Sequence, residues 1–109
     1  MALVEAVSAY VLTPLAKADI FHIWSYIALD SEDAADRVEK AIYDACAFVA
    51  EAPLRGHLRP DFTNRSLRFW TLTRFRNYSV VYRPDTTPVE VVAVVQGKRS
   101  MRRVLEQRE

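Results

Sequence analysis

The chain is poor in the residues that most often supply chemistry or covalent support. Its one cysteine, Cys46, excludes a disulfide within the chain and suits a reducing compartment, so a cytoplasmic location is expected. Its two histidines, His22 and His57, stand with Cys46 at no metal-ligand spacing, and neither a metal nor another cofactor is expected. Only two glycines occur among 109 residues, which argues against a loop-rich or disordered chain. No apolar run is long enough to cross a bilayer, so no membrane association is expected. Residues 1–18 imitate a signal peptide, with Ala16-Lys17-Ala18 as a cleavage site. They lack a basic leading segment, however, and Glu5 interrupts them. After Tyr82 the sequence contains no Tyr, His or Cys at all.

What is present points to one packed domain spanning residues 1–109. The length fits a single ordinary domain, and half of the residues are hydrophobic. Charge is divided along the chain. Residues 1–52 carry three Lys or Arg against nine acids, a net of −6, and residues 53–109 carry twelve against five, a net of +7. Eleven of those twelve cations are arginine, the residue better matched to carboxylate and phosphate oxygens. The basic half is therefore expected to meet an anionic partner, either nucleic acid or an acidic polypeptide.

Periodicity supplies the elements. Ala9-Tyr10-Val11-Leu12 reads as a short strand, and Thr13-Pro14 as a helix start with Thr as N-cap and Pro in the first turn. Ala16, Ile20, Ile23 and Ile27 then form an apolar stripe, which Phe21, Trp24 and Ala28 are expected to widen. Ser31 caps a second helix, whose N-terminal end gathers Glu32, Asp33 and Asp36 and whose stripe is Val38, Ile42, Ala45 and Val49, with Cys46 on the same face. Pro53 stops it. The short link between the two forces an antiparallel helical hairpin.

Residues 54–65 read as a loop, punctuated by Gly56, Pro60 and Asn64. Strands follow at 66–73, 77–83 and 89–96 as an antiparallel meander. The last is apolar on both faces apart from Glu90 and Gln96, which predicts a central place in the sheet. Gly97 ends it, and residues 100–107 can form a short helix within a basic tail, 98–109. Residues 1–8 stand apart as an N-terminal extension. The fold class is α+β: strand, helical hairpin, three-stranded meander, short C-terminal helix.

That order, carrying particular words, resembles the ParE/RelE superfamily of toxins from bacterial toxin–antitoxin pairs. The words are Tyr10-Val-Leu-Thr-Pro-Leu-Ala, Ile23-Trp-Ser-Tyr-Ile, Ala34-Ala-Asp-Arg-Val, Gly56-His-Leu-Arg-Pro-Asp, Leu67-Arg-Phe-Trp, Asn77-Tyr-Ser-Val-Val-Tyr-Arg-Pro and Gln96-Gly-Lys-Arg. They span residues 9–103. The resemblance implies one of two activities, since RelE-like members cut mRNA on the ribosome, whereas ParE-like members poison DNA gyrase without cleaving RNA.

Side chains separate the branches. RNA cleavage by a 2′-oxygen needs a general base and a general acid besides cations. RelE-like members build these from sheet Lys or Arg plus a late Tyr or His. Here Gln96 stands where relatives often carry His, and arginine is too basic to shuttle protons near neutral pH. If the chain were a nuclease, Arg68 and Arg83 would be its cations, and Glu90 or Glu106 its remaining bases. The ParE-like branch is favoured, with no catalytic residue and with Arg83, Lys98, Arg99, Arg102 and Arg103 facing gyrase. The resemblance also implies a cognate antitoxin whose extended acidic segment wraps the toxin. Trp24, Phe75, Arg68, Arg74, Arg76 and Arg83 are the expected contacts, beside a groove involving the helical hairpin. Trp70 is a third candidate anchor, for which burial in the core is preferred. A non-toxic binding module on the same fold is the remaining alternative, and contact with nucleic acid is left open.

Overall fold

The structure, a computed structural model, describes residues 9–97, 102 and 105–107. It runs β1 (Tyr10–Leu12), α1 (Pro14–Ala28), α2 (Glu32–Glu51), a single 3-10 turn (Pro53–Arg55), β2 (Arg68–Thr71), β3 (Tyr78–Arg83) and β4 (Val89–Gln96). Arg102 and residues 105–107 are helical. The expectations placed on residues 1–8, and on Lys98, Arg99 and Arg103, lie outside the described residues.

Both helices start at the caps that the sequence supplies. Thr13 Oγ1 accepts the Ala16 N–H at 3.1 Å and Ser31 Oγ accepts the Ala34 N–H at 3.1 Å, each satisfying a donor that has no partner within the helix. Asp30 and Ser31 both return their N–H groups to the Ile27 carbonyl, which folds the chain back after one short link. The helices form the expected hairpin, and Pro53 closes α2 by opening the 3-10 turn.

The sheet order is β1-β4-β3-β2. The antiparallel meander of β2, β3 and β4 is as the sequence predicts, and β4 is central because β1 pairs parallel to its other side, Tyr10 beside Val89 and Leu12 beside Val91. The strand expected at 66–73 is shorter, Arg68–Thr71. After it, Leu72 donates to Tyr78 and Tyr78 donates to Phe75, so the chain is already turning where a strand was expected to continue.

Alternation along β3 and β4 gives the sheet two apolar faces. Tyr78, Val80, Tyr82, Val89, Val91 and Val94 meet Ala16, Ile20, Val38, Ile42, Ala45, Cys46 and Val49 beneath the hairpin. Val81, Val92, Ala93 and Val95 face the other way, with Leu67, Phe69 and Leu105. Val92 is an extra residue in β4, because Tyr82 pairs with Val91 and Val81 with Ala93. The bulge explains how two successive residues, Val92 and Ala93, share the far face.

One sequence expectation changes at α1, and one contact there is new. Phe21 is 64% exposed and does not widen the buried stripe. At about 100° per residue it is turned a quarter circle away from Ile20. Asp19, which the sequence did not single out, accepts the Val94 N–H at 2.9 Å. The pairing of β1 with β4 ends at Leu12 and Val91, so Val94 lies beyond its reach, and the Asp19 carboxylate supplies the acceptor that a longer strand would have offered.

Tyr82 fixes how the hairpin, loop and sheet meet. Its fully buried phenol donates to the Pro53 carbonyl at 2.7 Å and accepts the Gly56 N–H at 2.8 Å. Gly56 is needed for this approach, since a Cβ there would lie 2.5 Å from the Tyr82 oxygen. Gly56→Ala is expected to cost about 1–3 kcal/mol through overpacking, and Tyr82→Phe a similar amount through the two polar groups it strands. Because the closest approach is to the hydroxyl, with ring carbons at 2.9 and 3.0 Å that Tyr82→Phe retains, the losses in the double variant should be partly less than additive, measured by urea unfolding. Fully additive losses would break the link.

Burial pushes the Cys46 thiol from 9.0 up to about 12. The folded chain keeps a proton that the unfolded chain releases in that window. Stability should therefore fall by up to about 1.4 kcal/mol per pH unit as pH rises above about 9. The stability lost between about pH 8 and about pH 10, read from unfolding curves, is expected to be smaller in Cys46→Ala than in the unaltered chain.

Candidate binding groove and cationic surfaces

One face of α2 carries the small residues Ala41 and Ala45 between the larger Arg37, Lys40, Asp44 and Phe48. Opposite them, the last residues of β2 and the turn after it present Trp70, Leu72, Thr73, Arg74 and Phe75. The two alanines leave space where longer side chains would have met the sheet. The result is an open groove of about 510 Å³. Its floor is apolar: Leu72 is buried, while Trp70 and Phe75 are half-buried and so present part of their surface to the open groove. Trp70, assigned to the core from sequence, thus occupies the boundary between core and groove.

Stacked rings close one end. The Arg55 guanidinium lies 3.8 Å above the Phe48 ring, Phe48 is 5.2 Å from Trp70, and the His57 ring stacks on Trp70 at 6.4 Å with an interplanar angle of 11°. His57 earns its place in the loop through its backbone as well, since it exchanges hydrogen bonds with Phe69 at the edge of β2. Neither Phe48 nor Arg55 was identified from the sequence. Phe48 lies off the buried stripe of α2 and is 41% exposed, a combination that only the fold assigns to a wall.

The rim is mostly cationic. Lys40 is bound to Asp44 at 2.9 Å, while Arg37 and Arg74 have no carboxylate within salt-bridge distance among the described residues. Arg74 lies 5.6 Å over the Phe75 ring. Charge and apolar surface therefore coincide here.

The residues singled out from sequence are dispersed over the molecule. Phe75 and Arg74 are at the groove, and Arg76 is exposed in the adjoining turn. Trp24 is elsewhere, its indole N–H donating to Asp36 at 2.8 Å between the two helices. Arg68 is half-buried beneath the loop, donating to the Gly56 carbonyl at 2.8 Å and the Leu54 carbonyl at 3.4 Å. Arg83 lies on the opposite face of the sheet, where its Nε donates to Glu90 at 2.8 Å. Arg102 is also on that far side, 5.5 Å over the Phe62 ring, which Arg59 approaches at 4.4 Å.

No group of these side chains forms an acid–base pair. Alternation places Arg68 on the face of Tyr82 and Arg83 on the face of Val81, so the two arginines are separated by the sheet. The Tyr82 phenol is committed to Pro53 and Gly56, and burial raises its pKa. Glu90 is paired with Arg83, and Glu106 and His22 are exposed. Among the described residues no three His, Cys, Asp or Glu side chains come together as a metal site, and no helix is long and apolar enough to cross a membrane. On α1, Leu15, Phe21 and Tyr26 are individually exposed, at 53%, 64% and 75%.

Comparison with known proteins supplies the family. A search of curated protein sequences gives no match. Among solved structures, the chain is similar to one described as the chromosomal ParDE toxin–antitoxin system from P. aeruginosa, with a TM-score of 0.68 and 20% identity over 82% of this chain and 95% of that one. At that identity the likeness establishes a shared fold. The family model for the ParE toxin of the type II toxin–antitoxin system, parDE, matches residues 10–101, nearly all of the described chain. This chain belongs to the ParE toxin family of type II toxin–antitoxin systems.

Proposed function

We propose that the protein is a toxin that acts by binding, with DNA gyrase as its target in the cytoplasm, and that a cognate antitoxin neutralises it. One observation carries the choice of binding over RNA cleavage: Arg68 and Arg83, the two cations on which a nuclease reading depends, face opposite sides of the sheet. A phosphorane needs its cations and its proton donor within one site, about 3 Å from the reacting atoms. Here Arg68 serves the loop and Arg83 serves Glu90, and the nearest tyrosine, Tyr82, is buried with both hydrogen-bonding roles filled.

The groove supports the antitoxin half of the reading. It joins an apolar floor at Leu72 and Phe75 to rim cations at Arg37 and Arg74, which fits a segment alternating apolar and acidic residues. The far-face cations Arg83 and Arg102, with Lys98, Arg99 and Arg103 in the tail, are assigned to the target. On this division, one face of the molecule is held by the antitoxin while the other carries toxicity.

Two outcomes follow. Purified protein is expected to block gyrase supercoiling or trap cleaved DNA, and to leave mRNA intact on translating ribosomes. Ribosome-dependent mRNA cleavage lost on Arg83→Ala would replace this reading with the nuclease one. The charge reversals Arg37→Glu and Arg74→Glu together should weaken antitoxin binding by about tenfold or more, roughly 1.4 kcal/mol, without lowering toxicity of the free protein. Unchanged affinity measured by calorimetry would remove the groove from the interface.

A further inference from the structure

α1 is a surface helix with almost no charge on its surface. Between Pro14 and Leu29 only Lys17 and Asp19 are charged, and Asp19 is turned inward to the Val94 N–H. The solvent side therefore holds one charge, Lys17, where a solvated helix face ordinarily carries several. The inner stripe of Ala16, Ile20, Ile23 and Ile27 meets the core. At about 100° per residue, Leu15, Ala18, His22, Tyr26 and Leu29 fall within an arc of about 80° on a different side. Leu29 follows the last helical residue but keeps helical backbone angles, so it extends this second stripe. Leu15, Tyr26 and Leu29 are 53%, 75% and 83% exposed, His22 is exposed, and the Phe21 ring flanks it at 6.1 Å.

The spacing of the stripe points to what covers it. Its five positions are separated by three, four, four and three residues, so the pattern is the same from either end, with His22 at its centre. An antiparallel copy of α1 laid on it sets Leu15 against Leu29, Ala18 against Tyr26 and His22 against His22. The small residue meets the large one, the leucines meet each other, and every contact occurs twice, as a two-fold interface requires. At those exposures the stripe offers roughly 500 Å² per copy, so that a pair buries about 1,000 Å², the size at which a specific but weak interface begins.

We infer that the chain self-associates: two copies pair through the outer stripe of α1, antiparallel about a two-fold axis at His22. The seam shares no residue with the groove beside α2, so the inference goes beyond the antitoxin and target readings and depends on neither. It also accounts for a helix that is apolar on two sides although only one of them meets the core of its own chain.

Sedimentation equilibrium on the purified full chain tests the pairing. Half of the chain should be dimeric at a concentration on the order of 10 µM, as a seam of this area supports. Tyr26→Glu buries two carboxylates in the seam and should raise the dissociation constant by about tenfold or more, whereas Lys17→Glu, off the seam, should stay within about threefold. Oxidative cross-linking reads the geometry. In a mixture, Leu15→Cys chains should join Leu29→Cys chains and neither should join itself, while His22→Cys should join itself. Cys46 is buried and stays out of the reaction. A chain that stays monomeric at about 100 µM, or a dimer that Tyr26→Glu leaves intact, overturns the inference. So does a Leu15→Cys chain that cross-links mainly with itself, which marks a parallel pair. If the His22→Cys thiol is shielded from alkylation only in the antitoxin complex, the face belongs to that partner and not to a second copy.

Discussion

The Tyr82 hydroxyl is the contact on which the arrangement of this protein depends. It comes from a central strand, and it holds both the carbonyl that follows α2, at Pro53, and the N–H that starts the loop, at Gly56. With the loop pinned there, Arg68 can reach the Gly56 and Leu54 carbonyls from below, and His57 can meet Phe69 at the sheet edge. The His57 ring then lies on Trp70, Trp70 on Phe48, and Phe48 under Arg55, which is also bound to the Phe48 carbonyl at 2.6 Å. One buried phenol thereby sets the wall of the groove. A buried hydroxyl with both partners in place has no proton to spare for chemistry, so the residue that organises the fold is withdrawn from catalysis.

The sheet separates two kinds of cation. On the hairpin side, Arg37 and Arg74 border an apolar groove, where charge can orient a partner and apolar contact can hold it. On the far side, Arg83 pairs with Glu90, and Arg59 and Arg102 flank Phe62. The sequence shows a basic half but not this division, because the strand period of two residues sends neighbouring arginines to opposite faces. Arg68 and Arg83 are both in the meander, and only the pairing of Arg68 with Tyr82 shows that they face opposite sides of the sheet.

Much of the fold was legible because local and global signals agree. Thr13 and Ser31 cap the helices they were expected to cap, the stripe of α2 is buried as its spacing requires, and the apolar character of β4 on both faces corresponds to its central position. Phe21 was misread because an aromatic beside an apolar stripe resembles part of it, although a 100° step carries it into solvent. The groove was largely illegible for a different reason. Its depth comes from what Ala41 and Ala45 do not fill, and its walls from residues 22 positions apart, Phe48 and Trp70, whose meeting depends on where the Tyr82 hydroxyl ties the loop. Asp19 was missed similarly, since its role is to replace a strand that ends too early.

The central claim is that this fold acts on its target by binding and breaks no RNA bond. Mapping newly formed nucleic-acid ends in cells after induction of the protein without its antitoxin tests it most directly. The account predicts double-strand DNA ends at sites of gyrase action, with mRNA ends unchanged. New mRNA 5′ ends clustered at ribosomal A-site codons, with DNA intact, would contradict it.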